Sequence, residues 1–194
     1  MTHQYENTET RREQIATAAL EILSEEGIHK VTTRSIAARV GITDGTIFRH
    51  FKDKTEILLA SMDLLERLMF SAFPAPRLPP LERLERFFRS RALLIGAAHS
   101  LGRLIFSEQL LHAAGPAGRG KVEQWKQRNV SFVLACLSEL ELEGSLPEGL
   151  SAERLLPVVQ GTLLTYAMLH QADNVGLSAR VDRDWDTLSR LLTR

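Results

Sequence analysis

The sequence of 194 residues has little of what disulfide scaffolds, metal centres and membrane spans require. Its single cysteine, Cys136, excludes an intramolecular disulfide and a cysteine-rich metal site. Its apolar runs are far shorter than the ~20 residues that cross a bilayer. The polar, charged segment Met1–Arg12 is unlike a signal peptide. These absences predict a cytoplasmic protein without a membrane partner.

Patterns typical of enzymes are also missing. No nucleophile elbow and no spaced pair of carboxylates suggests catalysis. No two histidines are four residues apart, as a metal site on a helix would require. Gly115–Lys121 fits the first seven positions of a P-loop, but Val122 stands where a Ser or Thr would hold magnesium. We therefore predict no enzyme, no metal and no cofactor, and we interpret Gly115–Gly120 as a flexible connection between helices.

The charge of the chain is balanced overall but unevenly distributed. Lys and Arg number 24, as do Asp and Glu, so the formal net charge is zero. Residues 27–54 include six basic and two acidic residues, which gives this segment a local charge of +4. A positive field concentrated in one segment is typical of a surface that binds phosphates.

Apolar residues recur at helical spacing and strand patterns are nearly absent, which predicts an all-α protein of about nine helices. Thr10 and Glu13 have the spacing of a capping box, so the first helix is expected to begin near Thr10 and to end at Gly27. Four prolines within residues 74–80 predict a break after the fourth helix. The last helix is expected to begin near Arg183.

Two short helical patterns separated by a turn form the most informative part of the sequence. The first, Thr33–Val40, has small residues, Ala37 and Ala38, where two helices would cross closely. Gly41 stands where this helix would end in a left-handed conformation. The second pattern covers about Asp44–Phe51, and Ile47 and Phe51, one helical turn apart, are expected to face inward. This arrangement predicts a helix-turn-helix, whose second helix enters the major groove of DNA.

The first 60 or so residues resemble the TetR family of bacterial transcriptional regulators. The matching positions are Glu26-Gly27, Thr33, Ile36-Ala37, Val40 to Thr43, Gly45 to Phe48, His50-Phe51 and Lys54. The resemblance implies a three-helix DNA-binding headpiece at residues 8–54, with the helix-turn-helix at about 31–50. It also implies a C-terminal helical domain at residues 55–194 for ligand binding and dimerisation.

Candidate DNA contacts fall into two groups. The second helix of the motif, the recognition helix, is expected to be capped by Thr43. The exposed residues at the start of this helix would face base edges: Thr43, Asp44, Gly45, Thr46 and Arg49. A second group would position the phosphate backbone. That group comprises Thr33, Arg34, Phe48, His50, Lys52 and Lys54. Phe48 departs from the tyrosine usual in the family, so a hydroxyl contact to phosphate is missing.

The C-terminal half supplies candidates for an effector pocket and a dimer interface. Polar or aromatic residues within apolar helices are the pocket candidates: His99, Arg103, Phe106, Glu108, Trp125, Gln160, Tyr166 and His170. Apolar stripes on the last two helices are the interface candidates: Leu155, Leu156, Val159, Leu163, Ala167, Trp185, Leu188 and Leu192. The alternative is that these stripes only close the subunit's own core.

The resulting prediction is a ligand-responsive repressor that binds a palindromic operator in double-stranded DNA as a homodimer and answers to a small-molecule effector. Two alternatives remain open. One is an architectural or division-linked DNA binder controlled by a protein partner. The other is a helical small-molecule-binding protein whose headpiece no longer binds DNA, for which Asp44, Phe48 and the zero net charge leave room.

Overall fold

The computed structural model describes residues 2–71, 73–97, 108–168 and 175–193, which form α-helices, one 3-10 turn and no strand. The predicted all-α class is confirmed. The helices are α1 Thr2–Glu26, α2 Thr33–Val40, α3 Asp44–Phe48, α4 Lys54–Phe70, α5 Pro80–Ala97, α6 Glu108–Ala113, α7 Gly115–Leu142, α8 Ala152–Met168 and α9 Leu177–Leu192. No helix in these ranges has the length and apolar content needed to cross a membrane.

The chain divides into two compact units. The headpiece unit comprises residues 1–68 and 103–123, and the body unit comprises residues 69–102 and 124–194. Packing therefore groups most of α4 with the headpiece, because buried Ser61 of α4 donates a 2.9 Å hydrogen bond to the carbonyl of Ala16 in α1. The predicted functional boundary after Lys54 stays a prediction.

Three helix ends differ from the sequence-based expectation. Helix α1 starts at Thr2 rather than near Thr10, since residues 2–9 contain neither proline nor glycine to stop it. Helix α3 ends at Phe48, three residues early. Helix α9 begins at Leu177, directly after Gly176, whose φ of +80° is left-handed. Local patterns locate helices better than they locate helix ends.

The predicted flexible connection at Gly115–Gly120 is wrong. Only Ala114 separates α6 from α7, and Gly115, with φ +66°, already begins α7. Pro116 suits a first helical turn because its missing N–H has no helical acceptor there. At Gly118 a Cβ would lie 2.3 Å from the Ala114 Cβ, so the small residue is needed for packing.

The body core is built by α5, α7, α8 and α9, and it absorbs the apolar stripes expected at the dimer interface. Leu156 and Ala167 are half-buried. The other six predicted interface residues are buried within the subunit: Leu155, Val159, Leu163, Trp185, Leu188 and Leu192. These six residues are at most 5% exposed, so they offer little surface to a second subunit. Their burial favours the alternative that the stripes close the subunit's own core, and an interface through half-buried Leu156 and Ala167 stays a prediction.

Candidate nucleic-acid interface

The start of α2 is held by a capping box that the sequence analysis did not identify. The Ser35 backbone N–H donates to the Thr32 hydroxyl at 3.0 Å, and the Thr32 N–H donates to the Ser35 hydroxyl at 3.0 Å. The signal was the spacing Thr-x-x-Ser, which differs from the usual Ser/Thr-x-x-Glu. The box places Thr33, half-buried, and Arg34, exposed, on the first turn of α2.

The turn between α2 and α3 follows the prediction. Gly41 is left-handed with φ +75°, and the N–H of Ile42 closes the turn on the carbonyl of Ala37 at 3.0 Å. Ala37 is buried at the helix crossing, whereas Ala38 is exposed. One small residue rather than two therefore serves the close approach.

Ile47 of α3 and Phe51, three residues after the end of α3, hold this helix against the core. Both side chains are buried, as their spacing predicted. Thr43 occupies the N-cap position, but its hydroxyl makes no capping bond to the backbone. It pairs instead with the Thr46 hydroxyl at 3.0 Å. In the free protein these two hydroxyls satisfy each other, so base contacts by either would exchange one hydrogen bond for another.

The outer face of α3 is available to a partner. Thr43, Asp44, Gly45, Phe48 and Arg49 are exposed. The Phe48 ring is 57% exposed, which leaves a large apolar group without a role in the core. Arg49 makes no ion pair within the described part of the chain. The face thus offers a free cation and an aromatic ring beside short side chains.

The basic residues of the headpiece divide into structural and free groups. The guanidinium of Arg39 pairs with Glu25 at 2.8 Å and Glu26 at 3.1 Å, and the Glu25 hydrogen bond raises its pKa. Arg39 therefore adds little to the positive field counted in the sequence. Arg34 and Lys52 are exposed and, within the described residues, free of ion pairs.

Arg12 fixes the segment that follows α3. Its guanidinium donates to the carbonyl of His50 and to the Glu56 carboxylate at 2.9 Å, and it lies 4.1 Å from the Phe51 ring centroid. Glu56 also accepts the Lys52 N–H at 2.7 Å, and these bonds lower the pKa of Glu56. The residues between α3 and α4 are consequently presented in one conformation.

His50 is half-buried, and its Nδ1 is buried without a hydrogen-bond partner in the described ranges. Burial, followed by the charges of Arg49, Arg11 and Arg12, lowers its pKa below the usual value. The imidazole is therefore neutral at neutral pH and can donate a hydrogen bond but not a full charge. Arg11 was not among the predicted contacts, because its nearness to His50 follows only from the packing of α1.

Lys54, the first residue of α4, lies at a recess rather than on an open surface. The recess has a volume of about 820 Å³. It is lined by Ile28, His29, Lys54, Leu111, His112, Ala113 and Arg119. The predicted contact of Lys54 with phosphate stays a prediction.

The candidate effector residues are only partly described. His99, Arg103, Phe106, His170 and the side chain of Glu108 lie outside the described residues. Among the described residues, the buried indole N–H of Trp125 has no acceptor, and the Nε2 of half-buried Gln160 has none either. The Tyr166 hydroxyl instead donates to Asp184 at 2.5 Å, and burial together with this carboxylate raises the pKa of Tyr166. Within the described parts no group of three His, Cys, Asp or Glu could hold a metal.

Helix α8 carries an apolar face on its solvent side. Pro157, Gly161, Leu164 and Met168 are all exposed, and they recur at the spacing of one helical stripe. Met168 is 72% exposed. A Cβ added to Gly161 would meet nothing within 4 Å, so the glycine is not required by the subunit's own packing.

Known proteins resemble this chain in the headpiece and over most of its length. Residues 15–61 match the family described as bacterial regulatory proteins, tetR family. The nucleoid occlusion factor SlmA of Sodalis glossinidius (strain morsitans) is 30% identical over 167 residues, covering 81% of this chain and 84% of that protein.

Solved structures share the fold over nearly the whole length. The ketosteroid transcriptional regulator KstR2 of Mycobacterium tuberculosis has a TM-score of 0.77 at 19% identity, covering 95% of both chains. AibR in complex with isovaleryl coenzyme A and operator DNA has a TM-score of 0.71 at 20% identity, covering 94% of this chain and 98% of that one. Together with the SlmA relative, these likenesses show that the chain belongs to the TetR family of bacterial DNA-binding transcriptional regulators.

Proposed function

We propose that the protein is a ligand-responsive repressor that binds a palindromic operator as a homodimer in the cytoplasm. One observation carries the proposal: the outer face of α3 presents exposed Arg49 and Phe48 on a tightly anchored helix-turn-helix. An exposed aromatic ring and an unpaired cation on a rigid short helix suit a partner that offers base edges and phosphates. The structure needs neither side chain for its own core.

In this proposal α3 lies in the major groove. Gly45 allows the backbone to approach the bases, and Arg49 reads a guanine through its two parallel N–H donors. Arg34 and Lys52 hold phosphates on either side, and neutral His50 donates a hydrogen bond to a third. Two subunits would place their recognition helices ~34 Å apart, one turn of the duplex.

For the dimer we propose the exposed face of α8 in place of the buried stripes. Pro157, Gly161, Leu164 and Met168 form an apolar stripe that a second copy of α8 can cover around a twofold axis. A glycine in the middle of this stripe permits close contact between two helices. AibR, a structural neighbour, was solved with both isovaleryl coenzyme A and operator DNA, which supports a regulator with two kinds of ligand.

The test is selection of bound duplexes from a randomised DNA pool with the full chain. We expect a palindromic consensus with half-sites about one helical turn apart. A non-palindromic consensus would contradict the dimeric mode of binding. Failure to enrich any sequence would contradict specific binding altogether.

A second candidate function is favoured by the relative at 30% identity, which is a nucleoid occlusion factor. Under this candidate the chain binds many chromosomal sites and answers to a protein partner rather than a small molecule. Mapping of bound sites across the chromosome separates the two. One or a few sites beside promoters support the repressor, and tens of dispersed sites support the nucleoid occlusion type.

A further inference from the structure

Arg91 of α5 is a buried cation without a counter-charge. Its side chain is 4% exposed. Nη1 donates to the carbonyl of Met69 at 2.5 Å, and Nε donates to Asn129 Oδ1 at 3.3 Å. Nη2 is buried and has no acceptor among the described residues. Both partners are neutral, so the positive charge is left uncompensated among the residues that the structure describes.

The other arginines of α5 show how this helix ordinarily treats its cations. Arg83, 7% exposed, pairs with Glu139. Arg86 pairs with Glu82 at 2.6 Å, and Arg89 pairs with Glu85 at 2.7 Å. Arg91, the most buried of the four, is the exception. A buried charge without a partner is costly to the folded state, so such a group is retained for a reason other than stability.

A second cation approaches the same place. The guanidinium carbons of Arg91 and Arg128 lie 5.2 Å and 4.1 Å from the centroid of the Phe70 ring. Arg128 is exposed and also makes no ion pair within the described chain. Burial, with a smaller contribution from Arg128, lowers the pKa of Arg91 to about 10, so Arg91 remains charged at neutral pH. Two like charges around one ring favour an anion between or beside them.

The surroundings are aromatic and supply further donors. The Phe73 ring lies 5.3 Å from the Arg91 guanidinium carbon, and the Phe87 ring lies 5.2 Å from it. Phe132 packs against both rings, with centroids 4.7 Å and 4.9 Å away. On α7, Trp125 stands one turn before Asn129, and its buried indole N–H has no acceptor in the part of the chain that the structure describes. The cluster thus offers cationic N–H donors beside apolar rings.

We propose that the body unit binds an organic anion, a carboxylate or phosphate carried on an apolar chain or ring, with its oxygens on Arg91 and Arg128 and its apolar part against the half-buried rings of Phe70 and Phe73. This compound is the effector, a role that rests on the proposed regulatory function. The anion supplies the counter-charge that the fold omits. Binding therefore stabilises the folded body as well as occupying it.

The test is thermal melting of the full chain with four probes: sodium decanoate, decyl phosphate, inorganic phosphate and neutral 1-decanol, each below the concentration at which micelles form. We expect both amphiphilic anions to raise the melting temperature in a saturable way and decanol to leave it unchanged. Preference between decanoate and decyl phosphate tells which oxyanion the site takes. Absence of a shift with all three anions overturns the proposal.

Variants give a matched comparison. Arg91→Met removes the charge and is expected to weaken decanoate or decyl phosphate binding by roughly tenfold or more. Arg83→Met, which removes a similarly buried but paired arginine from the same helix, should lower stability and leave the affinity unchanged. Without ligand, Arg91→Met should melt at or above the wild-type temperature, since an unpaired buried charge is gone. A lower melting temperature with unchanged affinity identifies Arg91 as purely structural and overturns the proposal.

Arg128→Met decides the same question should Arg91→Met fail to fold, because Arg128 is exposed and its loss leaves the core intact. DNA binding is measured separately on the duplex obtained by selection. An anion that binds through Arg91 but leaves DNA affinity unchanged overturns the effector role and not the site. Failure of all DNA binding counts against the proposed function, while melting still judges the site.

Discussion

At the scale of single residues, a substitution of Gly45 distinguishes an effect on DNA binding from an effect on stability. A Cβ at this position would meet no atom nearer than the Thr43 hydroxyl at 3.9 Å, an ordinary contact. Gly45→Ala should therefore keep or slightly raise the melting temperature, because alanine favours a helix over glycine by about 0.5–1 kcal/mol. In the proposed complex the added methyl group stands against the bases. We expect operator affinity to fall by about 1–3 kcal/mol, the value of one base contact; unchanged affinity would place α3 outside the groove.

His50 gives a prediction about pH. Its pKa is lowered in the folded protein, so the unfolded chain binds more protons near pH 6 and stability falls as the pH drops below about 6.5. His50→Gln cannot gain this charge and should lose less stability between about pH 7 and 5. Melting temperatures of both chains across this range provide the measurement. The pKa of Glu56 is also lowered, but protonation of Glu56 affects stability only below about pH 4.3, outside the range that is compared. Parallel pH profiles would contradict a buried neutral imidazole.

At the scale of elements, the end of α2 depends on one backbone conformation. Gly41 has φ +75°, where a side chain costs about 1–2 kcal/mol. Gly41→Ala should lower the free energy of unfolding by that amount, measured by urea denaturation. Gly45→Ala is the matched control, since it adds the same methyl group at a helical position without a positive φ. Equal effects of the two substitutions would show that added volume, rather than the left-handed turn, is responsible.

The same elements show how far sequence reasoning reaches. The bounds of α2, the left-handed Gly41 and the burial of Ile47 and Phe51 follow from local rules about periodicity and glycine, and all were predicted. The stripe containing Leu163 was also recognised, but periodicity reports that a face is buried and not which element covers it. In the structure the subunit's own core covers it.

Pairing between distant residues was beyond prediction altogether. Four arginines recur along α5, and the sequence does not tell which of them meet carboxylates. Only the packing of α5 against α7 distinguishes Arg83, paired with Glu139, from Arg91, which meets an amide and a carbonyl. The sequence tells which charged groups lie on one face of a helix, whereas the fold decides which groups they meet.

At the scale of the whole molecule, dimerisation assigns a role to the exposed face of α8. Leu164→Glu places a charge within the proposed interface and should give a monomer in sedimentation at micromolar concentration. Leu93→Glu is the matched control, because Leu93 of α5 is similarly exposed and lies off the stripe. Both chains should stay folded by circular dichroism. A dimer that survives Leu164→Glu would move the interface to another face.

The central claim is that α3 reads DNA sequence, and Arg49 tests it most directly. Affinities of the wild type, Arg49→Ala and Lys52→Ala are measured for the selected operator and for a scrambled duplex at one salt concentration. We predict that Arg49→Ala weakens operator binding by about 1–3 kcal/mol with a much smaller loss on the scrambled duplex. Lys52→Ala should weaken both duplexes alike, as expected of a phosphate contact. An equal loss on both duplexes with Arg49→Ala, or none on either, would contradict sequence readout by α3.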